Sequence, residues 1–149
     1  MYDNSKSSKR KLKGMKKCGI GCIACPFVKE GKRYKPEKVI WNITKAVNCE
    51  TKNIIYLIEC NKERCNAKYI GETERPFKVR IAEHKRYIQN HNLTQATGNH
   101  FNKTGHNLNY MKATVLEQVK KDNVNYRKQR EQFLINKFNT FHNGMNKMP

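Results

Sequence analysis

Residues 53–84 read NIIYLIECNKERCNAKYIGETERPFKVRIAEH. The first seven residues of this stretch are mostly β-branched, aromatic or large aliphatic, and they predict a buried strand. Residues 61–66 are polar and predict a turn. Residues 67–71 predict a second, shorter strand that pairs back on the first in antiparallel fashion, because a connection this short cannot form a parallel crossover.

The hairpin is followed by a pattern typical of a helix. Thr73 is suited to the N-cap, and apolar residues recur at helical spacing as far as about Ile88. Arg80 and His84 lie four residues apart and are expected on one side of this helix. Farther along the chain, residues 112–119 predict a third strand, and Val124 to about Phe138 predicts a second long helix.

Charge is the dominant feature of the composition. The 149 residues include 31 Lys and Arg against 12 Asp and Glu, which gives a net charge of +19 and a pI near 9.9. Such a balance favours a polyanionic partner, with DNA or RNA ahead of an acidic membrane surface. No apolar run approaches the roughly 18 residues of a membrane span. Without a secretory signal, we expect an intracellular and nuclear protein.

The N-terminal third divides into two segments. Residues 1–17 are lysine-rich and almost without apolar residues, so we predict a disordered basic arm that is either a nuclear address or a solvated tail. Residues 18–52 form a Cys-rich segment. Six cysteines in a protein of a reducing compartment favour metal binding over disulfides. One candidate zinc site comprises Cys18, Cys22, Cys25 and Cys49, although reduced, buried cysteines are the alternative.

A second set of metal-ligand residues lies around the predicted hairpin. Four residues separate Cys60 from Cys65 between the two predicted strands, and five residues separate His100 from His106 farther along the chain. Two cysteines and two histidines are a complete shell for structural zinc. The alternative is four unrelated side chains. If zinc binds, its binding energy becomes folding energy and connects the hairpin turn to the later loop.

Six further polar residues are candidates for phosphodiester chemistry. Such a reaction needs an activated water, charge relief at the phosphate and stabilisation of the leaving oxygen, and Mg²⁺ or Mn²⁺ with one glutamate can supply much of this. An arginine can fork onto phosphate oxygens. Taken singly, each residue also has a plain structural explanation, such as strand packing for a tyrosine. The candidates are Tyr56, Tyr69, Arg80, His84, Glu131 and Asn146.

The order of these residues resembles the GIY-YIG endonuclease family. The resemblance rests on Tyr56, on Tyr69-Ile70-Gly71-Glu72-Thr73, on Arg80 and His84, on Arg130-Glu131-Gln132-Phe133 and on Asn146. It covers residues 53–146. The first motif reads Ile54-Ile55-Tyr56 and lacks the leading glycine that is usual in the family.

The resemblance implies an α+β fold with a small three-stranded antiparallel sheet flanked by helices, in a domain over residues 53–149. It also implies one divalent metal, Mg²⁺ or Mn²⁺, on Glu131 and a phosphate contact by Arg80. Tyr56 is similar to the tyrosine proposed as general base in the family, and Tyr69 would position the water or the phosphate, although the sequence does not decide which tyrosine is the base. His84 would assist proton transfer or orient a tyrosine. Asn146 would support the site by hydrogen bonding, and DNA would be the substrate.

Further features resemble the endonuclease of Penelope-like retroelements. They are the cysteines between the two tyrosine motifs, the block from His100 to His106, and the upstream cluster that ends Cys25-Pro26-Phe27. This resemblance implies nicking of target DNA to prime reverse transcription, with a reverse transcriptase domain or the RNA of the parent element as partner. Two alternatives remain at this point: an inactive, zinc-stapled nucleic-acid-binding module, and a structure-specific repair nuclease of the same fold.

Overall fold

The computed structural model of the protein describes residues 12–19, 21–36, 39–120, 123–141 and 144–146. Its centre is the predicted hairpin and the strand that joins it. Strands β5 (Ile54–Cys60), β6 (Lys68–Thr73) and β7 (Met111–Gln118) form a three-stranded antiparallel sheet in the order β6-β5-β7. The predicted α+β fold with three antiparallel strands is confirmed.

Three helices accompany this sheet in the described part of the chain: α1 (Phe77–Gln89), α2 (Ala96–Phe101) and α3 (Val124–Phe138). Short 3-10 turns cover Cys25–Phe27 and Leu108–Tyr110. Helix α1 begins after Pro76, and Thr73 lies in β6 instead of capping the helix. None of the helices described here is long and apolar enough to cross a bilayer.

The alternating side chains of β5 divide the interior into two cores. Ile54, Tyr56 and Ile58 pack with Phe77 and Ile81 of α1 on one face of the sheet. Ile55 and Leu57 pack on the other face with two residues of α3, Leu134 and Ile135. A strand that is buried on both faces explains why the segment is almost continuously apolar.

The N-terminal segment is folded onto the sheet. Strand β1 (Gly14–Lys16) pairs in parallel with β4 (Ala46–Asn48), and β2 (Arg33–Tyr34) pairs antiparallel with β3 (Trp41–Asn42). The Lys29 N–H donates to the Ala113 carbonyl of β7 at 2.8 Å, so this segment covers the outer edge of β7.

The prediction of a disordered arm over residues 1–17 is therefore wrong for Gly14–Lys16. Met15 is only 1% exposed, and its backbone exchanges hydrogen bonds with Gly31. Met15 lies among lysines, and local composition could not indicate that its side chain would be buried in the core. Residues 1–11 of the predicted arm lie outside the described residues. The predicted boundary after residue 52 does not separate two cores, because Met15, Cys25 and Cys49 share one with Tyr56.

Candidate functional site

Tyr56 is the buried centre of the site. It is completely shielded from solvent and pairs across the sheet with Gly71 of the edge strand β6. The phenol ring lies over Gly71, where a side chain would collide with the hydroxyl. The absence of a Cβ at this one position therefore lets the Tyr56 hydroxyl reach the edge of the sheet.

Two residues of α1 bind the Tyr56 hydroxyl. Arg80 Nε donates to it at 2.9 Å, and His84 Nε2 lies 2.8 Å away. Because the arginine can only donate, the phenol oxygen is the acceptor there, and the phenol proton is left for His84 Nε2. His84 then carries its own proton on Nδ1, where it donates to the hydroxyl of Thr97 at 2.7 Å. The helical spacing of four residues places both partners on one tyrosine.

Burial determines which groups carry protons in the hydrogen-bonded series Thr97–His84–Tyr56–Arg80. Burial, and secondarily the Arg80 charge, lowers the pKa of His84 to about 3, so its imidazole is neutral near pH 7. Burial also raises the pKa of Tyr56 well above its usual value, although Arg80 acts in the opposite direction. Near neutral pH the resting pair is a neutral phenol hydrogen-bonded to a neutral imidazole.

Arg80 is itself fixed in place. Its Nη1 donates to Glu83 Oε1 at 2.8 Å and approaches the Tyr87 hydroxyl at 3.5 Å. Arg75 donates to the same Glu83 oxygen at 2.7 Å. The Arg80 guanidinium also interacts with the Tyr69 hydroxyl, and the Arg80 side chain is 19% exposed. The guanidinium is thus held by several partners and remains partly accessible to an anion.

Tyr69 borders the same group of rings. Its ring centroid lies 6.3 Å from that of Tyr56 and 5.4 Å from that of His84, both in edge-to-face contact. Burial raises the pKa of Tyr69, while Arg80 lowers it. Tyr69 is only half-buried, unlike Tyr56, so its side chain forms part of the accessible wall of the site.

Glu131 lies on the other side of the sheet from this group. It belongs to α3, whose apolar residues pack on the face opposite Tyr56. Its carboxylate nevertheless raises the pKa of both Tyr56 and Tyr69, and Arg80 in turn lowers that of Glu131. Glu131 therefore interacts with these groups electrostatically and makes no hydrogen bond to Tyr56, Tyr69 or Arg80 among the described residues.

The Glu131 carboxyl is half-buried and has no hydrogen bond or ion pair among the residues that the structure describes. Burial, reinforced by the charge of Glu72, raises its pKa to about 7, despite the nearby cations Lys128, Arg80 and Arg127. Glu72 is instead engaged by Arg127 Nε at 2.6 Å. A partly shielded carboxylate without a partner, at the edge of an arginine–tyrosine cluster, fits a divalent cation that keeps most of its waters.

Asn146 lies behind the reactive groups. Its amide accepts from the Ile70 N–H and donates to the Ile70 carbonyl, both at 2.8 Å, and Thr140 donates to its Oδ1 at 2.6 Å. The side chain thereby continues the ladder along the outer edge of β6, between Tyr69 and Gly71. It positions this strand and does not face the reacting groups.

Of the six predicted polar residues, Tyr56, Tyr69, Arg80 and His84 are in contact through hydrogen bonds or ring packing, and Asn146 supports them. Glu131 lies on the opposite face of the sheet and acts on them through its charge. Three contributors were absent from the sequence prediction: Thr97, Glu83 and Glu72. Glu83 could have been inferred from its spacing of three residues from Arg80. No local signal points to Thr97 or Glu72, because their partners lie 13 and 55 residues away.

The first metal-ligand set is assembled. The sulfurs of Cys18, Cys22, Cys25 and Cys49 all lie within 4.8 Å of one another. Cys25 Sγ is 3.8 Å from Cys18 Sγ and 3.7 Å from Cys49 Sγ. Sulfurs bound at about 2.3 Å to one tetrahedral ion would be about 3.8 Å apart. No disulfide is present, so this group could hold a structural metal such as zinc.

The second set is likewise assembled from distant segments. The ligand atoms of Cys60, Cys65, His100 and His106 lie within 4.8 Å of one another, and Cys65 Sγ is 3.4 Å from His100 Nε2. Burial, with a contribution from His106, lowers the pKa of His100 to about 4, which keeps the imidazole neutral.

His106 provides an independent sign that this set binds a metal. Its Nδ1 lies 3.3 Å from the Thr104 carbonyl, to which an N–H would donate. Its Nε2 is buried and is the one buried side-chain nitrogen or oxygen in the described chain without a partner. A histidine held through one nitrogen, with a lone pair directed at two cysteines and another histidine, has the usual arrangement of a metal ligand.

No family model matches the chain, and no curated protein or solved structure matches it either.

Proposed function

We propose that this protein is a metal-dependent DNA endonuclease of the GIY-YIG type that nicks phosphodiester bonds. The observation that carries the proposal is the buried series of hydrogen bonds Thr97–His84–Tyr56–Arg80, together with the Glu131 carboxylate, which has no partner among the described residues. The net charge of +19 supports a nucleic-acid substrate.

In this proposal Arg80 binds the scissile phosphate. Its Nε is held by Tyr56 and its Nη1 by Glu83, and the partly exposed guanidinium would donate to a phosphate oxygen. A guanidinium that is already oriented loses little freedom on binding and can follow the charge that develops on the phosphate. Tyr69, on the accessible wall, would orient the phosphate or the attacking water.

Tyr56 acts as the general base. Because the Tyr56 hydroxyl is shielded from solvent, the attacking water would have to approach it at the edge beside Gly71. The proton of that water would pass to the phenol oxygen while the phenol proton passes to His84 Nε2. His84 then shares its charge with the hydrogen bond to Thr97. Because the pKa of His84 is low, it holds the proton only briefly and returns it to the Tyr56 oxygen. Tyr56 then releases the proton gained from water to the solvent, and the departing oxygen takes a proton from the solvent.

Glu131 would hold the divalent cation. Mg²⁺ or Mn²⁺ at this carboxylate would supply charge relief at the phosphate and at the departing oxygen. The protein's own contribution there is to keep a carboxylate half-buried and free of other partners. The two cysteine-containing sets would hold structural zinc and connect the N-terminal segment and the α2 loop to the sheet.

We further infer derivation from a Penelope-like retroelement. The support is the residue pattern given above together with the assembled Cys60–Cys65–His100–His106 set. In that setting the nick leaves a 3′ hydroxyl that primes reverse transcription. A reverse transcriptase domain or the parent RNA would then be a functional partner, and chromosomal DNA in the nucleus would be the target.

The test is conversion of supercoiled plasmid to the open circle by purified protein. We expect nicking with Mg²⁺ or Mn²⁺ and none without a divalent cation. An inactive binding module would retain plasmid binding in a mobility-shift assay and leave the plasmid closed under every metal condition. Equal nicking without any added divalent cation would also contradict the proposal.

The raised pKa of Glu131 predicts how the Mg²⁺ requirement changes with pH. Below a pKa of about 7 the carboxyl holds a proton that competes with the cation. We expect the Mg²⁺ concentration for half-maximal nicking to rise about tenfold per pH unit below that value. Glu72→Gln removes a charge that raises this pKa, and should move the rise to lower pH. A half-maximal concentration that is constant from pH 6 to 8 would contradict the assignment.

Thr97 is expected to be a positioning residue. Thr97→Val keeps the shape of the side chain but removes the acceptor for the buried His84 Nδ1–H. An unpaired buried donor costs about 1–3 kcal/mol, which corresponds to a nicking rate reduced roughly 10- to 100-fold. Thr97→Ser should restore the rate, whereas a purely packing role would favour valine over serine. The check is kcat against KM for both variants on one plasmid substrate.

A further inference from the structure

Helix α3 carries a row of aromatic and basic residues on its outer side. Tyr126, Arg130, Phe133 and Lys137 follow one another at spacings of four, three and four residues, so they lie on one face of the helix. We call these four residues the outer stripe. The proposed catalytic Glu131 directly follows Arg130 in the chain, on the neighbouring, inward-turned part of the helix.

The outer stripe is not part of either core. Phe133 is 46% exposed and Tyr126 is 43% exposed, whereas Leu134 of the same helix is fully buried. One exposed aromatic residue is ordinary on a protein surface. Two aromatic residues that alternate with two cations along one line of a helix form an organised surface.

Contacts with β7 and within the helix hold the side chains of the outer stripe in place. Arg130 makes a bidentate pair with Glu117 of β7, with both bonds at 2.8 Å. Its guanidinium carbon lies 4.6 Å from the centroid of the Phe133 ring, and the Lys137 ammonium lies 6.0 Å from the same centroid. The Tyr126 phenol is close enough to Arg130 to interact with it electrostatically. A ring held in this way loses little freedom when a flat ligand stacks on it.

The net charge of the protein and the aromatic rings of the outer stripe together indicate which kind of partner fits the stripe. A second copy of a chain with net charge +19 would be repelled, and an acidic peptide would satisfy the cations but leave the aromatic faces without a matching surface. Single-stranded DNA offers both complements, because its phosphates match Lys137 and the net positive charge of the chain, and its unpaired bases stack on aromatic rings. Duplex DNA offers the phosphates alone, since its bases are already stacked.

We propose that the outer stripe binds an unpaired segment of the DNA substrate by stacking bases on Phe133 and Tyr126. This rests on the proposed function only in taking DNA as the partner. The stripe faces outward on the same helix as Glu131. The preferred substrate is therefore DNA that carries an unpaired segment.

The test compares two substitutions at one position, without added Mg²⁺ so that nothing is cleaved. Phe133→Leu keeps an apolar side chain but removes the ring, and should weaken binding of a single-stranded oligonucleotide roughly 5- to 100-fold. Phe133→Trp should bind as tightly as the wild type or more tightly. Binding of a duplex of equal length should change less than about twofold in both variants, since stacking contributes nothing there.

A second readout separates stacking from phosphate contact. The fluorescence of Phe133→Trp, after subtraction of the Trp41 signal measured in the wild-type protein, should be quenched by the single strand. An abasic strand of the same length should not quench it. Equal single-strand affinity of Phe133→Leu and the wild type, or quenching by the abasic strand, would overturn the proposal. A wild-type protein that stacks single strands but never nicks plasmid would instead overturn the proposed function and leave the stripe in place.

Discussion

Glu131→Gln is expected to reduce Mg²⁺-dependent nicking at least about 100-fold while plasmid binding stays within about twofold, because removal of a metal ligand costs several kcal/mol in the transition state. Glutamine has the same length and can still accept hydrogen bonds, but it lacks the charge that retains a cation. Binding should survive because the charge of +19 is spread over the chain, and the loss of one negative charge makes the surface more basic.

A loss of nicking caused by unfolding has to be distinguished from a loss caused by removal of the metal ligand. Burial raises the pKa of Glu131 to about 7, so the ionised carboxylate destabilises the folded state. The stability that the protonated group contributes is fully present below the unfolded-state pKa and is lost as the pH rises through 7. At pH 8, Glu131→Gln should therefore be at least as stable as the wild type in a thermal melt. Glu63→Gln, which alters an exposed glutamate in the hairpin turn, is the matched control and should nick normally. Undiminished nicking by Glu131→Gln would remove this residue from the reaction.

Removal of structural metal is the second large effect that we expect. Metal analysis of the reduced protein should return two zinc ions per chain, one for each assembled set. Structural zinc contributes on the order of 10–16 kcal/mol to the folding of small domains. This is comparable to or larger than the whole stability of a typical domain, about 5–15 kcal/mol. Prolonged chelation should therefore unfold the protein, and added Zn²⁺ should restore it.

Cys60→Ser tests the set nearest the sheet. Cys60 is 4% exposed and ends the central strand β5, so its loss should disrupt the sheet itself. Cys25→Ser should loosen the N-terminal segment in the same way, because Cys25 is buried in the same core. Circular dichroism and zinc content of both variants provide the check. A folded, fully reduced wild-type protein without zinc, and with an unchanged melting temperature, would contradict the metal assignment.

The elements that the sequence predicts well are those with a local signal. The strands predicted over residues 53–59 and 112–119 form as Ile54–Cys60 and Met111–Gln118, and the helix predicted from Val124 forms as Val124–Phe138. Their apolar residues repeat with the period of the element, and this period does not depend on the rest of the chain.

Elements that depend on remote partners were missed. Strand β1 forms because Gly14–Lys16 pairs with Ala46–Asn48, some thirty residues later. Helix α2 has no counterpart among the predicted helices. Its buried Thr97 and His100 are engaged by His84 and Cys65. Polar residues buried by tertiary hydrogen bonds look like loop residues when only composition is considered.

In the candidate site, too, features with a local sequence signal were predicted, and features that depend on remote contacts were not. The spacing of Arg80 and His84 correctly predicts that they share one side of a helix, and both bind the same tyrosine. The position of Glu131 on the opposite face of the sheet could not be predicted. It depends on the packing of α3, which is not encoded in the spacing of the six residues.

The most direct measurement is the anomalous diffraction signal of Mn²⁺ in crystals of Tyr56→Phe bound to DNA. Without the phenol hydroxyl the substrate should remain intact, so the cation and the scissile phosphate are captured together. We expect a manganese peak within coordinating distance of the Glu131 carboxylate and of a phosphate oxygen that Arg80 also contacts. A manganese ion bound elsewhere, with the DNA backbone away from Arg80, would contradict the proposed mechanism.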